Sequence, residues 1–290
     1  MNHLSTSFMR IIIITSLFII QLAHANLLIS PTRVTFDDRQ RSEKIILMNS
    51  SEETRTYRIS WQEKKSLSTG GTSALKEEEL QSFPTASNML RYSPKQVTLK
   101  AGERQIIKLA LRRPKDLKDG EYRSYLWLKA LPPKREKNKK GGFSMQLNTL
   151  LSYSLPVVVR QGPMIPPEIN IEQVQLSYSP RKVSNYIEKS KNDVSIQVTI
   201  SRSGLYSTAG NLIAYWKGVD DKEEQIIAQV HKLPIYPELD QINFKLKWPN
   251  TSITAGQLRI SYQDSNTLPG TVLSEKILDV TASMFKKSIQ

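Results

Sequence analysis

Apolar and polar residues alternate along most of this chain in short runs. At residues 27–36, 44–48, 56–61, 96–99, 105–111 and 122–128 an apolar side chain recurs at nearly every second position. That period turns one face of an extended strand toward a core and leaves the other polar. Between the runs lie turn-forming clusters: Asp37-Asp38, Asn49-Ser50-Ser51, Lys100-Ala101-Gly102 and Lys118-Asp119-Gly120. Strands and turns at this spacing predict an antiparallel sandwich. Residues 67–82, rich in Ser, Thr, Gly and Glu, read as a loop. The pattern stops at Arg160-Gln161-Gly162-Pro163-Met164-Ile165-Pro166-Pro167, where prolines forbid a sheet interior and make a stiff connector. It resumes at 194–200, 211–216, 242–248, 257–262 and 273–280. The predicted architecture is all-β, with two β-sandwich domains at 26–160 and 169–290 joined by a Pro-rich hinge at 161–168.

Two stretches break the alternation. Residues 11–22 are an apolar run after Arg10, followed by Ala23-His24-Ala25. The run is too short to span a bilayer, and the small-x-small ending reads as a cleaved signal peptide over 1–25. The second stretch runs from Lys134 to Gly162. A basic cluster ending in Gly141-Gly142 leads into apolar residues at Phe143, Met145, Leu147, Leu151, Tyr153, Leu155, Val157 and Val159. Like charges and glycines resist ordering, so the cluster reads as a loop kept loose ahead of a long strand. From Tyr153 to Val159 the run becomes nearly continuous, as an interior strand would, and is expected to face this domain's own core. Phe143 to Leu151 could face either that core or a partner.

Composition removes whole classes of chemistry. The chain has no cysteine and three histidines, of which His3 and His24 fall in the signal peptide. The survivor, His231, stands beside Lys232 in a polar stretch and is expected at the surface. Nitrogen- or sulfur-rich metal sites and a Ser-His-Asp triad therefore lack their parts. Glu77-Glu78-Glu79 reads as a solvated loop rather than an acid–base pair. No enzymatic activity, cofactor, metal or small-molecule substrate is expected. The net charge of +14 fits acidic partners, an anionic membrane surface or simple solubility; with a signal peptide in front, nucleic acid is not expected.

Several short motifs, in order, carry a resemblance. The first strand, Asn26-Leu-Leu-Ile-Ser-Pro-Thr-Arg-Val-Thr-Phe36, holds Arg33 just ahead of a β-branched pair and an aromatic. Lys44-Ile-Ile-Leu-Met-Asn49 precedes Tyr57 and Trp61. Arg91-Tyr-Ser-Pro94, Leu99-Lys-Ala-Gly102 and Gln105-Ile-Ile-Lys-Leu109 follow, then Asp119-Gly-Glu-Tyr-Arg123 through Leu131-Pro132-Pro133. Together they resemble the PapD-like periplasmic chaperones of chaperone–usher pilus assembly. The second domain is similar more loosely, through 202–212 and 255–262. Its length and the Ser154-Leu-Pro-Val-Val-Val-Arg160 ending resemble the archaic branch. Ala101 and Lys108 depart from the family's proline and arginine.

The resemblance implies two immunoglobulin-like sandwiches and a periplasmic protein. Such proteins cap fibre subunits that lack their last strand and deliver them to an outer-membrane usher. The chaperone lends a strand whose alternate apolar side chains fill the subunit's groove. Phe143, Met145, Leu147, Thr149 and Leu151 are the donor positions it implies. Self-association through the same strand is left open. The family also anchors the subunit's terminal carboxylate with an arginine and a lysine. Arg33 matches the arginine; the lysine's place is taken by Pro156. Arg91 is the substitute cation, with Arg123 a weaker one expected to be exposed. The rival reading is a secreted adhesin or carbohydrate-binding module using exposed Trp216 or Tyr236.

Overall fold

The computed structural model describes residues 27–37, 39–132, 150–183, 186–248, 255–266, 268–281 and 284, side chains at 178–193 excepted. The expected signal peptide and the donor positions Phe143, Met145, Leu147 and Thr149 lie outside the described residues.

Eleven strands precede the proline-rich connector: β1 (Leu28–Ser30), β2 (Val34–Phe36), β3 (Ser42–Met48), β4 (Arg55–Gln62), β5 (Lys64–Ser66), β6 (Thr72–Ala74), β7 (Leu90–Ser93), β8 (Gln96–Leu99), β9 (Arg104–Leu111), β10 (Gly120–Leu131) and β11 (Tyr153–Gln161). Seven follow it: β12 (Glu168–Val183), β13 (Tyr186–Ser203), β14 (Thr208–Gly218), β15 (Gln225–Ile235), β16 (Gln241–Lys247), β17 (Gly256–Asp264) and β18 (Val272–Val280). The chain is all-β, as the alternation predicts.

In the first domain one sheet runs β1-β3-β9-β7 and the other β2-β11-β10-β4-β8. The opening strand serves both. Leu28–Ser30 pairs antiparallel with β3, the chain crosses over at Pro31-Thr32-Arg33, and Val34–Phe36 then pairs parallel with β11. Between the sheets lie Ile45 and Leu47 from β3, Ile107 and Leu109 from β9, Leu126 and Leu128 from β10, and Leu155, Val157 and Val159 from β11. Each such side chain contributes about 1.5–3 kcal/mol by leaving water. Asn49, fully buried at the end of β3, donates from Nδ2 to the carbonyls of Glu53, Leu99 and Lys100 and accepts from the Ser51 N–H. It ties the strand ending to the turn at Gly102, whose φ of +71° suits glycine.

The second domain pairs β12-β13-β16 in one sheet and β15-β14-β17-β18 in the other. Its own core includes Ile196, Val198, Ile200, Leu212, Leu258, Ile260 and Tyr262. His231 is exposed, as expected.

Residues 67–82 are not simply a loop. β5 and β6 form a hairpin whose tip, residues 67–71, reaches the second domain. The Asn243 N–H donates to the Ser68 carbonyl at 2.6 Å, the Ser66 N–H donates to Glu238 Oε1 at 3.0 Å, and Gly70 lies against the Phe244 ring. At the other end, Lys65 pairs with Glu79. Composition alone points to a loop here because the partners that order the segment are 170 residues away in sequence.

Candidate functional site

The outer face of the β2-β11-β10 sheet meets the second domain. On β10 the inward positions Tyr122, Leu126 and Leu128 alternate with outward Glu121, Arg123, Tyr125 and Trp127. On β11 the inward Leu155, Val157 and Val159 alternate with Ser154, Pro156, Val158 and Arg160. Pro156 is opposite Tyr125 on β10. On its other side, Val157 pairs with Val34, which puts Arg33 beside Pro156. Arg33, Pro156, Ser154, Tyr125 and Arg123 therefore share one face, and that face forms one wall of an interdomain cleft.

The other wall comes from Tyr206-Ser207 and from 235–239 at the end of β15. Arg33 donates from Nη2 to Ser207 Oγ at 2.6 Å and from Nη1 to the Tyr236 hydroxyl at 3.3 Å. Its guanidinium sits 5.3 Å from the Tyr236 ring centre. Arg123 covers the same ring at 3.5 Å and pairs through both terminal nitrogens with the Glu238 carboxylate. Arg160 donates from Nε to Glu121 Oε2 at 3.2 Å and from Nη2 to the Ser207 carbonyl at 2.8 Å. The same Glu121 oxygen accepts the N–H and the hydroxyl of Ser207. Arg202 Nη2 donates to the carbonyls of Ser203, Gly204 and Tyr206.

Arg123 and Glu238 hold each other charged. Burial alone would raise Glu238, but the hydrogen bonds and charge of Arg123 hold its carboxyl below the ordinary range. Burial opposes the charge of Arg123 most strongly, but the bond to Glu238 and the nearby charges of Glu238, Tyr125 and Tyr236 together outweigh it, so its pKa rises. The pair stays ionised. Arg33, by contrast, has no carboxylate in salt-bridge reach among the described residues; its partners are a serine hydroxyl and a tyrosine. Next to it a cavity of about 280 Å³ opens between Tyr125 and Pro156 on one side and Tyr236, Pro234 and Phe244 on the other, roofed by the hairpin tip.

The structure brings Arg33 into the cleft but does not bring Arg91 there. Arg91 is exposed on β7, an edge strand of the opposite sheet, and its hydrogen bond goes to the carbonyl of its own neighbour Leu90 at 3.3 Å. The expectation for Arg123 was wrong: only 3% of its surface is exposed, because the second domain covers it. The aromatic positions of the rival reading also correct themselves. Tyr236 is buried beneath the two arginines, and Trp216 packs edge-on against Trp248 with ring centres 5.0 Å apart. Leu151, the one described donor position, is 49% exposed and precedes β11. The inward assignment of 153–159 holds for Leu155, Val157 and Val159, whereas Pro156 faces the cleft. Glu121, Glu238, Arg160 and Ser207 escaped the sequence reading, and the burial of Arg123 did too. Their signal was Glu121-x-Arg123-x-Tyr125 on one face of an otherwise apolar strand, a charged and aromatic face that something has to cover.

β11 has a second property. Along its whole length it pairs with β10, but on its other side β2 covers only Val157–Val159. Residues 153–156 thus present an open sheet edge among the described residues, directly ahead of Arg33's position.

Two sandwiches meeting across a charged cleft, with an opening strand shared between sheets, define a two-domain immunoglobulin-like protein. Residues 26–160 match the family described as pili and flagellar-assembly chaperone, PapD N-terminal domain, and this first domain belongs to it. No curated protein matches the chain. Solved structures similar to it include the CupB2 chaperone of Pseudomonas aeruginosa (13% identity, 88% of this chain and 99% of that one, TM-score 0.45). Another is the E. coli chaperone DraB (12%, 89% and 97%, 0.42). A third is the CsuC–CsuE chaperone–tip subunit pre-assembly complex from archaic Csu pili of Acinetobacter baumannii (12%, 76% and 90%, 0.40).

Proposed function

We propose that this protein is a periplasmic chaperone that caps pilus or surface-fibre subunits by strand donation and passes them to an outer-membrane usher. The observation that carries the reading is the open edge of β11 ending beside Arg33, a cleft arginine with no carboxylate of its own among the described residues. A subunit strand adding to that edge gains main-chain hydrogen bonds, while Phe143, Met145, Leu147 and Leu151 supply alternate apolar side chains and Thr149 a smaller one. The pairing would cover the unfinished sheet edge of the subunit, which otherwise templates aggregation. At the end of the paired strand, the subunit's terminal carboxylate meets Arg33, whose planar fork suits bidentate pairing.

Co-expression with its subunit in a periplasm tests the reading. Wild type should yield a soluble complex, and Arg33→Ala should lower the recovered complex about tenfold, the cost of one charge-assisted contact. Met145→Asp should abolish capture while the chaperone stays folded by circular dichroism. Full capture by both variants would overturn strand donation, and unfolding of Met145→Asp would place Met145 in the domain's own core.

A further inference from the structure

Position 156, where the family pattern has a lysine, holds a proline that faces the cleft beside Arg33. The cation closest in role comes from elsewhere in the chain. β4 pairs with β10 as far as Gln62 opposite Tyr125, and the chain then lifts off the sheet into β5. Lys64, the first residue of β5, lies over the outer face of Tyr125, with Nζ 5.3 Å from the ring centre. It extends across β10 and donates to Ser154 Oγ of β11 at 2.9 Å. Ser154 is two residues before Pro156, roughly 7 Å along the same strand and on the same face. A positive charge thus reaches β11 without being encoded on it.

We infer that Lys64 is the second cation of the cleft and that, with Arg33, it brackets the terminal carboxylate of the captured subunit, which deepens the reading above and rests on it. Three observations carry this. First, the other cations of the cleft are committed: Arg123 to Glu238, Arg160 to Glu121, and Arg202 to three carbonyls. Lys64 and Arg33 have no carboxylate in salt-bridge reach among the described residues, and both hold serine hydroxyls instead. The Ser154 hydroxyl, which accepts from Lys64, still has its own hydrogen to give a carboxylate, whereas the Ser207 hydroxyl has given its hydrogen to Glu121. Second, Tyr125 and Pro156, the residues lying between the two cations on the sheet, are walls of the 280 Å³ cavity, so there is room for a chain end beside the sheet face that carries both charges. Third, partial burial lowers the pKa of Lys64. Desolvation opposes its charge, and an arriving carboxylate would relieve that penalty.

The test uses the full-length protein. Its subunit is identified by mass spectrometry of what co-purifies with the tagged chaperone from its native periplasm. The last ten residues of that subunit are then synthesised as free acid and as C-terminal amide. Wild type should bind the acid at least about tenfold more tightly than the amide. Lys64→Gln should shrink that ratio by about five- to tenfold with the unfolding temperature unchanged, and Lys64→Arg should restore most of it. A ratio that survives in Lys64→Gln but collapses in Arg33→Gln would overturn the role of Lys64 and leave the carboxylate anchor standing. Collapse in Arg91→Gln with Lys64→Gln unaffected would do the same. Equal binding of acid and amide by wild type would overturn the anchor itself, and Lys64's role with it.

Discussion

The floor and the mouth of the cleft contain similar side chains in opposite states. On the floor, Arg123, Arg160, Glu121 and Glu238 are matched, each cation on a carboxylate and each carboxylate on backbone or hydroxyl donors from across the domain boundary. At the mouth, Arg33 and Lys64 rest on serines and tyrosine rings. Tyr236 makes the contrast explicit, since Arg123 covers its ring and Arg33 touches its hydroxyl. A charge cluster whose cations all meet carboxylates is a fastener: it ties together two sandwiches that each have their own core. An unsaturated one is a site, because its electrostatic partner is still to come. Burial alone does not separate the two kinds of group; the presence or absence of a carboxylate does.

Removing a fastener should produce the largest effect. Glu238→Ala leaves Arg123 buried against the second domain without its counter-ion, which should cost about 3 kcal/mol, the lower end of what breaking a buried pair costs. In scanning calorimetry, a loss of that size should uncouple the unfolding of the two domains. A single unchanged transition would make Glu238 a passive surface residue. The same group gives a pH dependence. Its folded pKa lies below the unfolded one, so its contribution is present above the unfolded glutamate value near 4.3 and is lost as pH falls through the lower folded value. Wild type should therefore lose stability over that acid window more steeply than Glu238→Gln.

The hairpin tip is an intermediate case. It fastens through the Asn243-to-Ser68 backbone bond and the Ser66-to-Glu238 bond, yet it also roofs the cavity. Replacing 67–71 by a two-residue turn should cost about 1–2 kcal/mol of interdomain coupling, one or two ordinary hydrogen bonds. Hydrogen exchange should show it most clearly, with the Asn243 amide losing protection and the first-domain core amides keeping theirs. Protection retained at Asn243 would mean that the tip is not what orders that strand.

How far each feature can be read from sequence follows from the range of the interactions that make it. The sandwiches are legible because alternation is local: Ile45 and Leu47 face inward for the same reason that Lys44 does not. Arg33 is legible only through the resemblance of the first strand to the family's, which carries an arginine there. The hairpin is not, since its Ser, Thr and Gly residues have no strand signal and its order comes from Glu238 and Asn243. Arg123 misleads because period-2 alternation separates inward from outward without saying whether outward means water or a second domain. Lys64 is invisible for a related reason. Its claim to the cleft depends on β4 lying beside β10 and β10 beside β11, a register no local pattern encodes.

The smallest expected change in stability sharpens the contrast most. Arg33→Ala removes a partly buried guanidinium, but neither group it leaves is stranded: Ser207 Oγ still donates to Glu121, and the Tyr236 ring stays covered by Arg123. The cost should be about 1 kcal/mol or less, against about 3 kcal/mol for Glu238→Ala. A functional site and a structural pair that share one aromatic ring should thus separate by assay. Arg33→Ala should lose subunit capture with its unfolding curve nearly unmoved, whereas Glu238→Ala should lose capture only as far as the two domains come apart. If Arg33→Ala instead unfolded the protein as readily as Glu238→Ala, the guanidinium would belong to the fastener, and the mouth of the cleft would hold Lys64 alone.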